Sequence, residues 1–299
     1  MQFLATLATE FLSQQGLSAN TVRSYTSTLM PLVKELGRTP VDLINRQLID
    51  EYLNSLTHLA YTTQNRHLAI IVALMNFGVD RGYLKVNPLG RMRQRKPNAS
   101  KGEHGTDQII RYLTATQLMA LYQAVTPDVR LHAVVGLLHQ TGARVGEILA
   151  IDLEAVDLER RRFQVVGKGN KRRWCFYGEE ASVILDKYLR YYRHQEINAL
   201  FTAKKPFSNI FSRLSYARLY ESFQEAIAPY SLLQGVRLHD LRHTYATERV
   251  QLVSLEELRA LMGHENIQTT LRYQKVTSQK AEEAAQKALK LLRQQENKT

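Results

Sequence analysis

The chain has 299 residues, 40 Lys+Arg against 28 Asp+Glu, a formal net charge of +12 and a hydrophobic content of 44%. That length and apolar fraction suit a folded chain of about two domains and exclude a disordered one. A single cysteine, Cys175, excludes a disulfide framework and a cysteine-based zinc site, and points to a reducing compartment.

The first residues, FLATLATEFLSQQ, set Phe3, Leu4, Leu7, Phe11 and Leu12 at helical spacing. They carry no basic leader and Glu10 interrupts them, which argues against a signal peptide. Ser18 and Asn20 offer caps to a second helix, Asn45 or Asp42 to a third, and Thr62 or Thr63 to a fourth that Gly82 and Asn87-Pro88 stop. The longest apolar run, residues 68–75 in that fourth helix, is far shorter than the roughly 20 residues of a membrane span. Residues 1–89 therefore read as a helical domain. Residues 90–110 read as an extended linker, rich in Gly and Pro. Between Lys85 and Lys101 there are six basic residues and no acidic one. This stretch is either a solvated connection or a strap along a phosphate backbone, with Arg91, Arg93, Arg95 and Lys96 as its contacts.

A second domain follows over 111–299. Thr114 or Thr116 caps its first helix, and the apolar stretch from Val129 to Leu149 breaks at Thr141-Gly142. RRFQVV and RRWCFYG flank GKGNK and alternate apolar with polar residues, Phe163 with Val165 and Trp174 with Phe176. This predicts a β-hairpin turning over residues 167–171. Helices are predicted over 181–193, 214–227, 239–250, 255–262 and 269–273, the last capped by Thr269 or Thr270 and carrying Tyr273. The tail from Gln279 to Gln295 has the pattern of an amphipathic helix. The expected fold is mainly α with a small β-sheet in the C-terminal domain.

The +12 charge favours a polyanionic partner, nucleic acid ahead of an anionic membrane surface. Several chemistries fail on spacing. A P-loop needs Gly where Arg162 stands and Ser or Thr where Gly169 stands, and the second His of a zinc HExxH motif is Gln268. No carboxylate cluster has Mg²⁺ spacing and no Ser sits in a G-x-S-x-G elbow. Four segments remain. Arg144 and Glu147 share a helical face after the Thr141-Gly142 turn; Lys168 sits at the hairpin tip with Lys171, Arg172 and Arg173; His239 and Arg242 lie three apart; and Gly263-His264 precedes Tyr273. Each alone reads as a surface ion pair, a solvated turn, a structural histidine or a packing tyrosine. Together they are the groups that metal-free phosphodiester transfer requires. Arginine forks hold the non-bridging oxygens, His and Lys move protons, and Tyr supplies an oxygen nucleophile.

The strings TGARVGEIL, VVGKGNKRR, LHDLRHTYAT and MGHENIQTTLRYQKV, in this order, closely resemble the tyrosine recombinase (phage integrase) family, in particular its compact bacterial Xer-type members. The resemblance implies a two-domain DNA clamp with a core-binding domain ahead of an integrase-like catalytic domain. It carries the family's catalytic set onto Arg144, Lys168, His239, Arg242, His264 and Tyr273, with Glu147 in support and His243 as a structural neighbour. It implies that Tyr273 attacks a scissile phosphate to form a 3′-phosphotyrosyl link, with Lys168 protonating the leaving 5′-oxygen and His239 accepting the tyrosine proton. Neither metal nor cofactor is implied. The implied partners are double-stranded DNA with an inverted-repeat core and three further protomers in a tetrameric synapse. The tail helix would dock in trans or pack in cis, and a second recombinase or accessory protein stays open. The implied location is cytoplasmic, at the nucleoid. Arg66, Arg91, Arg93, Arg95, Lys96, Lys171 and Arg172 are the expected DNA contacts. Thr63, Gln64, Asn65, Arg213 and Arg218 are further candidates for base readout. Type IB topoisomerase chemistry and a non-catalytic DNA-binding protein on the same scaffold are the alternatives.

Overall fold

The computed structural model describes residues 2–98, 100, 102–103, 110–167, 170–205, 208–274 and 286. The chain divides into two compact units, Met1–Gln108 and Ile109–Thr299. Among the described residues no helix is long and apolar enough to cross a membrane.

The first unit is built on α1 (Leu4–Leu12), α2 (Ala19–Leu36), α3 (Arg46–Ser55) and α4 (Tyr61–Asp80). Ser18 Oγ accepts from the Thr21 N–H at 3.0 Å and Asn45 Oδ1 from the Leu48 N–H at 3.1 Å, which satisfies donors the first turns of α2 and α3 leave free. Leu4, Leu7, Leu29, Leu32, Ile49, Tyr52, Ile71 and Leu74 close the core. The start of α4 differs from expectation. The helix begins at Tyr61 with Ala60 at the cap, so Thr62 and Thr63 lie in its first turn. Gln64, a base-readout candidate by sequence, is buried and donates to the Leu56 and Leu59 carbonyls at 2.9 and 3.0 Å.

The basic linker is tethered over part of its length. Asn65 Oδ1 accepts from the Arg95 N–H at 2.8 Å while Asn65 Nδ2 donates to the Arg95 carbonyl at 2.9 Å, so one side chain pairs with both backbone groups of a residue thirty positions away. The Arg95 guanidinium meets both Glu103 oxygens at 2.9 Å. Asn65 is therefore committed to the linker backbone and Arg95 is already paired. Arg91, Arg93 and Lys96 are exposed, as is Arg66, whose guanidinium reaches Ser24 Oγ.

The second unit surrounds a buried helix, α6 (Val129–Thr141), which packs against α5 (Ala115–Val125), α8 (Glu179–Tyr191) and α10 (Leu238–Arg249). The remaining helices are α7 (Val145–Leu149), α9 (Tyr216–Ile227), α11 (Leu255–Met262) and α12 (Ile267–Leu271). A three-stranded antiparallel sheet runs β1 (Val156–Asp157), β2 (Arg162–Val166), β3 (Arg172–Phe176). A second hairpin, β4 (Thr202–Lys204) with β5 (Phe211–Arg213), has strands too short for a periodic signal and was not expected.

The β2–β3 hairpin forms where the sequence marks it, but its faces differ. Directly paired residues share a face of the sheet, and the register sets Phe163 opposite Cys175 and Val165 opposite Arg173. These point inward, whereas Trp174 and Phe176, read as the apolar stripe of β3, are exposed. Arg162 covers the outer Trp174 ring at 4.2 Å, a cation–π contact that shields part of that face. Two expected features lie outside the described residues: Lys168 at the hairpin tip, and the tail helix over 279–295 apart from Gln286.

Candidate active site

Two glycine turns shape the site. α6 ends at Gly142 with φ +62°, its N–H donating to the Leu138 carbonyl at 3.1 Å, and α11 ends at Gly263 with φ +63°. Left-handed φ favours glycine, so each turn reverses the chain at once and delivers the next polar residue to a helix edge. After Gly142, Arg144 stands at the N-cap of α7, and Glu147 Oε2 accepts its backbone N–H at 2.7 Å. After Gly263 comes His264, buried, with Nδ1 2.8 Å from the hydroxyl of the wholly buried Thr270.

Arg242, on α10, joins the two turns. Its fork donates to the Gly142 carbonyl with Nη1 and to the Met262 carbonyl at 2.7 Å with Nη2. Burial, then the neighbouring Arg144 charge, push its pKa down to about 10, so it stays charged at neutral pH. Glu147 is the counter-charge. Burial pushes its carboxyl up, but the Arg173 hydrogen bonds, the Arg144 N–H and the two guanidinium charges outweigh this and hold it at about 2. Arg144 Nη1 lies 2.9 Å from Glu147 Oε1, and Arg144 keeps 43% of its side chain exposed toward a cavity of about 490 Å³. Arg173, Arg259, Gly263 and His264 also line that cavity.

Tyr273 follows α12 rather than riding on it. Asn266, not Thr269 or Thr270, caps that helix, accepting from the Gln268 N–H at 2.9 Å, and the helix stops at Leu271. Tyr273 then sits in a turn with its N–H on the Thr270 carbonyl at 3.0 Å. Its ring lies parallel to the His264 ring at 6.4 Å between centroids. Its hydroxyl is 2.7 Å from His243 Nδ1. The sequence reading gave that contact to His239 and treated His243 as structural. The two histidines are one turn apart on α10, ring centroids 4.7 Å, and His243 is the one against the phenol while His239 is exposed. Burial and then the Arg242 charge lower the His264 pKa to about 4; burial and then His239 lower that of His243 to about 4. Both imidazoles are neutral at neutral pH. Burial raises the Tyr273 pKa against the pull of Arg242, Arg272 and Arg144, so the phenol is protonated at rest.

The structure thus brings Arg144, Glu147, His239, Arg242, His264 and Tyr273 into one cluster, from three separated segments. It adds two groups that the sequence reading named without placing them in the site: His243, read as structural, and Arg173, read as one of the hairpin-tip cations. A signal for Arg173 was present: a turn centred on residue 169 pairs Val165 with position 173, which forces that side chain inward. Lys171 and Arg172 are exposed, Lys171 3.9 Å from Glu265. Arg213, a base-readout candidate, instead caps the Leu149 and Ile151 carbonyls, both at 2.9 Å, and Arg218 pairs with Glu221.

Comparison with known proteins identifies the family. The signature described as "Phage integrase family" matches residues 111–280, and that of the "Phage integrase, N-terminal SAM-like domain" matches residues 4–83. The chain belongs to the phage integrase family. It is 29% identical over 289 residues to the tyrosine recombinase XerC of Lactobacillus delbrueckii subsp. bulgaricus, covering 92% of this chain and 95% of that protein. It is 27% identical over 286 residues to the tyrosine recombinase XerD of Pasteurella multocida, covering 89% and 91%. Among solved structures, the Tn1549 transposon integrase in complex with transposon right end DNA superposes with a TM-score of 0.75 at 17% identity, covering 96% of this chain and all of the other.

Proposed function

We propose that the cluster of Arg144, Arg242, His264 and Tyr273 is the strand-transfer centre of this tyrosine recombinase, a site-specific enzyme that breaks and rejoins DNA. The observation that carries this reading is the convergence of two arginines, one of them buried, and a hydroxyl-bearing side chain at two glycine turns, with a neutral imidazole on the hydroxyl. Arg144 and Arg242 neutralise the charge that grows on the non-bridging oxygens, and His264 donates a further hydrogen bond. The Tyr273 oxygen attacks phosphorus, its proton passing to His243 Nδ1, and the bond to the 5′-oxygen breaks as Lys168 protonates that oxygen. An arriving phosphodiester adds negative charge beside His243, which raises its proton affinity at the moment it must accept. The 5′-hydroxyl of a partner strand then displaces Tyr273 and restores a phosphodiester of similar energy.

The DNA partner is a duplex with an inverted-repeat core. Arg66, Arg91, Arg93, Lys96, Lys171 and Arg172 supply salt-sensitive contacts to phosphates. Four protomers synapse two duplexes in the cytoplasm, with residues 279–295 docking on a neighbouring protomer. The test is a nicked duplex carrying an inverted repeat sought in the DNA beside the coding sequence. A protease-sensitive band on a denaturing gel, labelled through the segment on the 5′ side of the break, whose 3′ end carries the tyrosine, is the expected product. Its absence, or relaxation of supercoiled DNA lacking the repeat, overturns the assignment. Lys168→Ala cleaves this duplex poorly, and a 5′-phosphorothiolate leaving group, which needs no proton, restores cleavage. No restoration would remove Lys168 from the acid role.

A further inference from the structure

Arg173 stands behind the site and touches three of its parts. It lies on β3, opposite Val165, and its side chain is only 13% exposed. Nη1 and Nη2 meet Glu147 Oε1 and Oε2 at 2.9 and 2.8 Å, a bidentate pair of the kind only an arginine fork makes. Nε donates to the Leu261 carbonyl at 3.2 Å, two residues before Gly263. A Cβ added at Gly263 would meet the Arg173 side chain at 3.0 Å, so the turn is packed directly on the guanidinium.

We propose that Arg173 is a positioning residue for strand cleavage: it fixes the Glu147 carboxylate that orients Arg144, and it fixes the turn that presents His264. The proposal rests on the strand-transfer reading above. Glu147 uses one oxygen for the Arg144 N–H and the other for the Arg144 guanidinium, and Arg173 grips both. Without that grip the carboxylate is held from the Arg144 side alone and the oxygens can rotate. The Leu261 carbonyl is lost in the same step. A lysine would keep the charge but could not make the paired bonds to Glu147 together with the third to Leu261. Among the described residues, the charged or titratable groups facing Glu147 are Arg144 at the cap of α7, Arg173 and Cys175 from β3, and Arg242 from α10. Removing Arg173 leaves two cations against burial, so the Glu147 pKa rises from its present value of about 2.

The experiment is single-turnover cleavage of the nicked inverted-repeat duplex by the full chain across pH, with duplex affinity read by fluorescence anisotropy. Arg173→Met slows cleavage by about 100-fold, the scale of a site displaced by an ångström, without weakening duplex binding. Its acid limb moves to higher pH than in the wild type as Glu147 becomes titratable, and Arg173→Lys recovers part of the rate. Arg173→Met combined with Glu147→Gln removes the buried carboxylate together with its fork and leaves Arg242 on its two carbonyls, so it keeps the test open should the single variant be too unstable to assay. It cleaves no more slowly than either single change alone, and the shifted limb disappears. A wild-type rate in Arg173→Met, an unshifted limb, or a double variant whose losses multiply overturns the proposal. Absence of the covalent band in the wild type would instead overturn the strand-transfer reading on which it rests.

Discussion

Tyr273→Phe forms no covalent protein–DNA band with the nicked duplex, down to a thousandth or so of the wild-type level, because nothing else in the cluster replaces its oxygen. The change removes one hydroxyl and one hydrogen bond, to His243 Nδ1, and leaves the ring beside His264. A single such bond contributes about 1 kcal/mol, so a thermal melt shifts little and duplex affinity persists. The combination of intact fold, intact binding and no adduct isolates chemistry from assembly. A persistent band would mean that another residue is the nucleophile. Tyr122, whose hydroxyl lies 2.9 Å from His139 Nδ1, would then be the next hydroxyl to test.

Gly142→Ala has the largest expected effect on stability. Its φ of +62° already penalises any side chain, and the new Cβ would sit 2.4 Å from Cδ1 of the Tyr245 ring. That ring cannot step aside. It is 4% exposed, and the Arg249 guanidinium lies 3.9 Å from its centroid on one face. Backbone strain of ~1 kcal/mol and overpacking of ~1–3 kcal/mol together give a loss of about 2–4 kcal/mol. Gly235→Ala, in the same unit at φ +71°, meets only the far end of Arg111 at 3.3 Å and costs about 1 kcal/mol, the backbone part alone. Urea denaturation of the two variants, read on the signal of the C-terminal unit, separates them. Equal midpoints would show that the Tyr245 contact is soft.

The sequence foretold the local half of this structure well. Ser18, Asn45 and Thr114 cap helices as their chemistry demands, and Gly142 and Gly263 end helices where a left-handed residue is needed. Those are short-range preferences, readable within a few residues. Five of the six chemical groups come together in the structure, Lys168 lying outside the described residues; the set was legible through the resemblance of four strings to a known family, since nothing in spacing alone brings residue 144 against residue 242. The misses share a cause. Trp174 and Phe176 look like a core stripe because apolar alternation does not say which face is buried; Arg173 takes the inward place because Glu147, from a different segment, meets it there. His243 and His239 both face the same side of α10, and only the position of the Tyr273 turn decides which one touches the phenol. Asn65 and Gln64 look like base readers because amides are versatile; tertiary contacts to the Arg95 backbone and to the Leu56 and Leu59 carbonyls had already engaged them.

Arg242 carries a final consequence. Its fork is held in place by the Gly142 and Met262 carbonyls, which belong to turns 120 positions apart in the chain and separated by most of the C-terminal unit. Loosening of either turn removes one of the two carbonyls that hold the fork, so the place of this cation depends on both turns at once. An enzyme that cuts DNA is hazardous when damaged, and here the cutting is wired to the integrity of the fold. On the strand-transfer reading, a copy in which either turn has loosened holds DNA without breaking it.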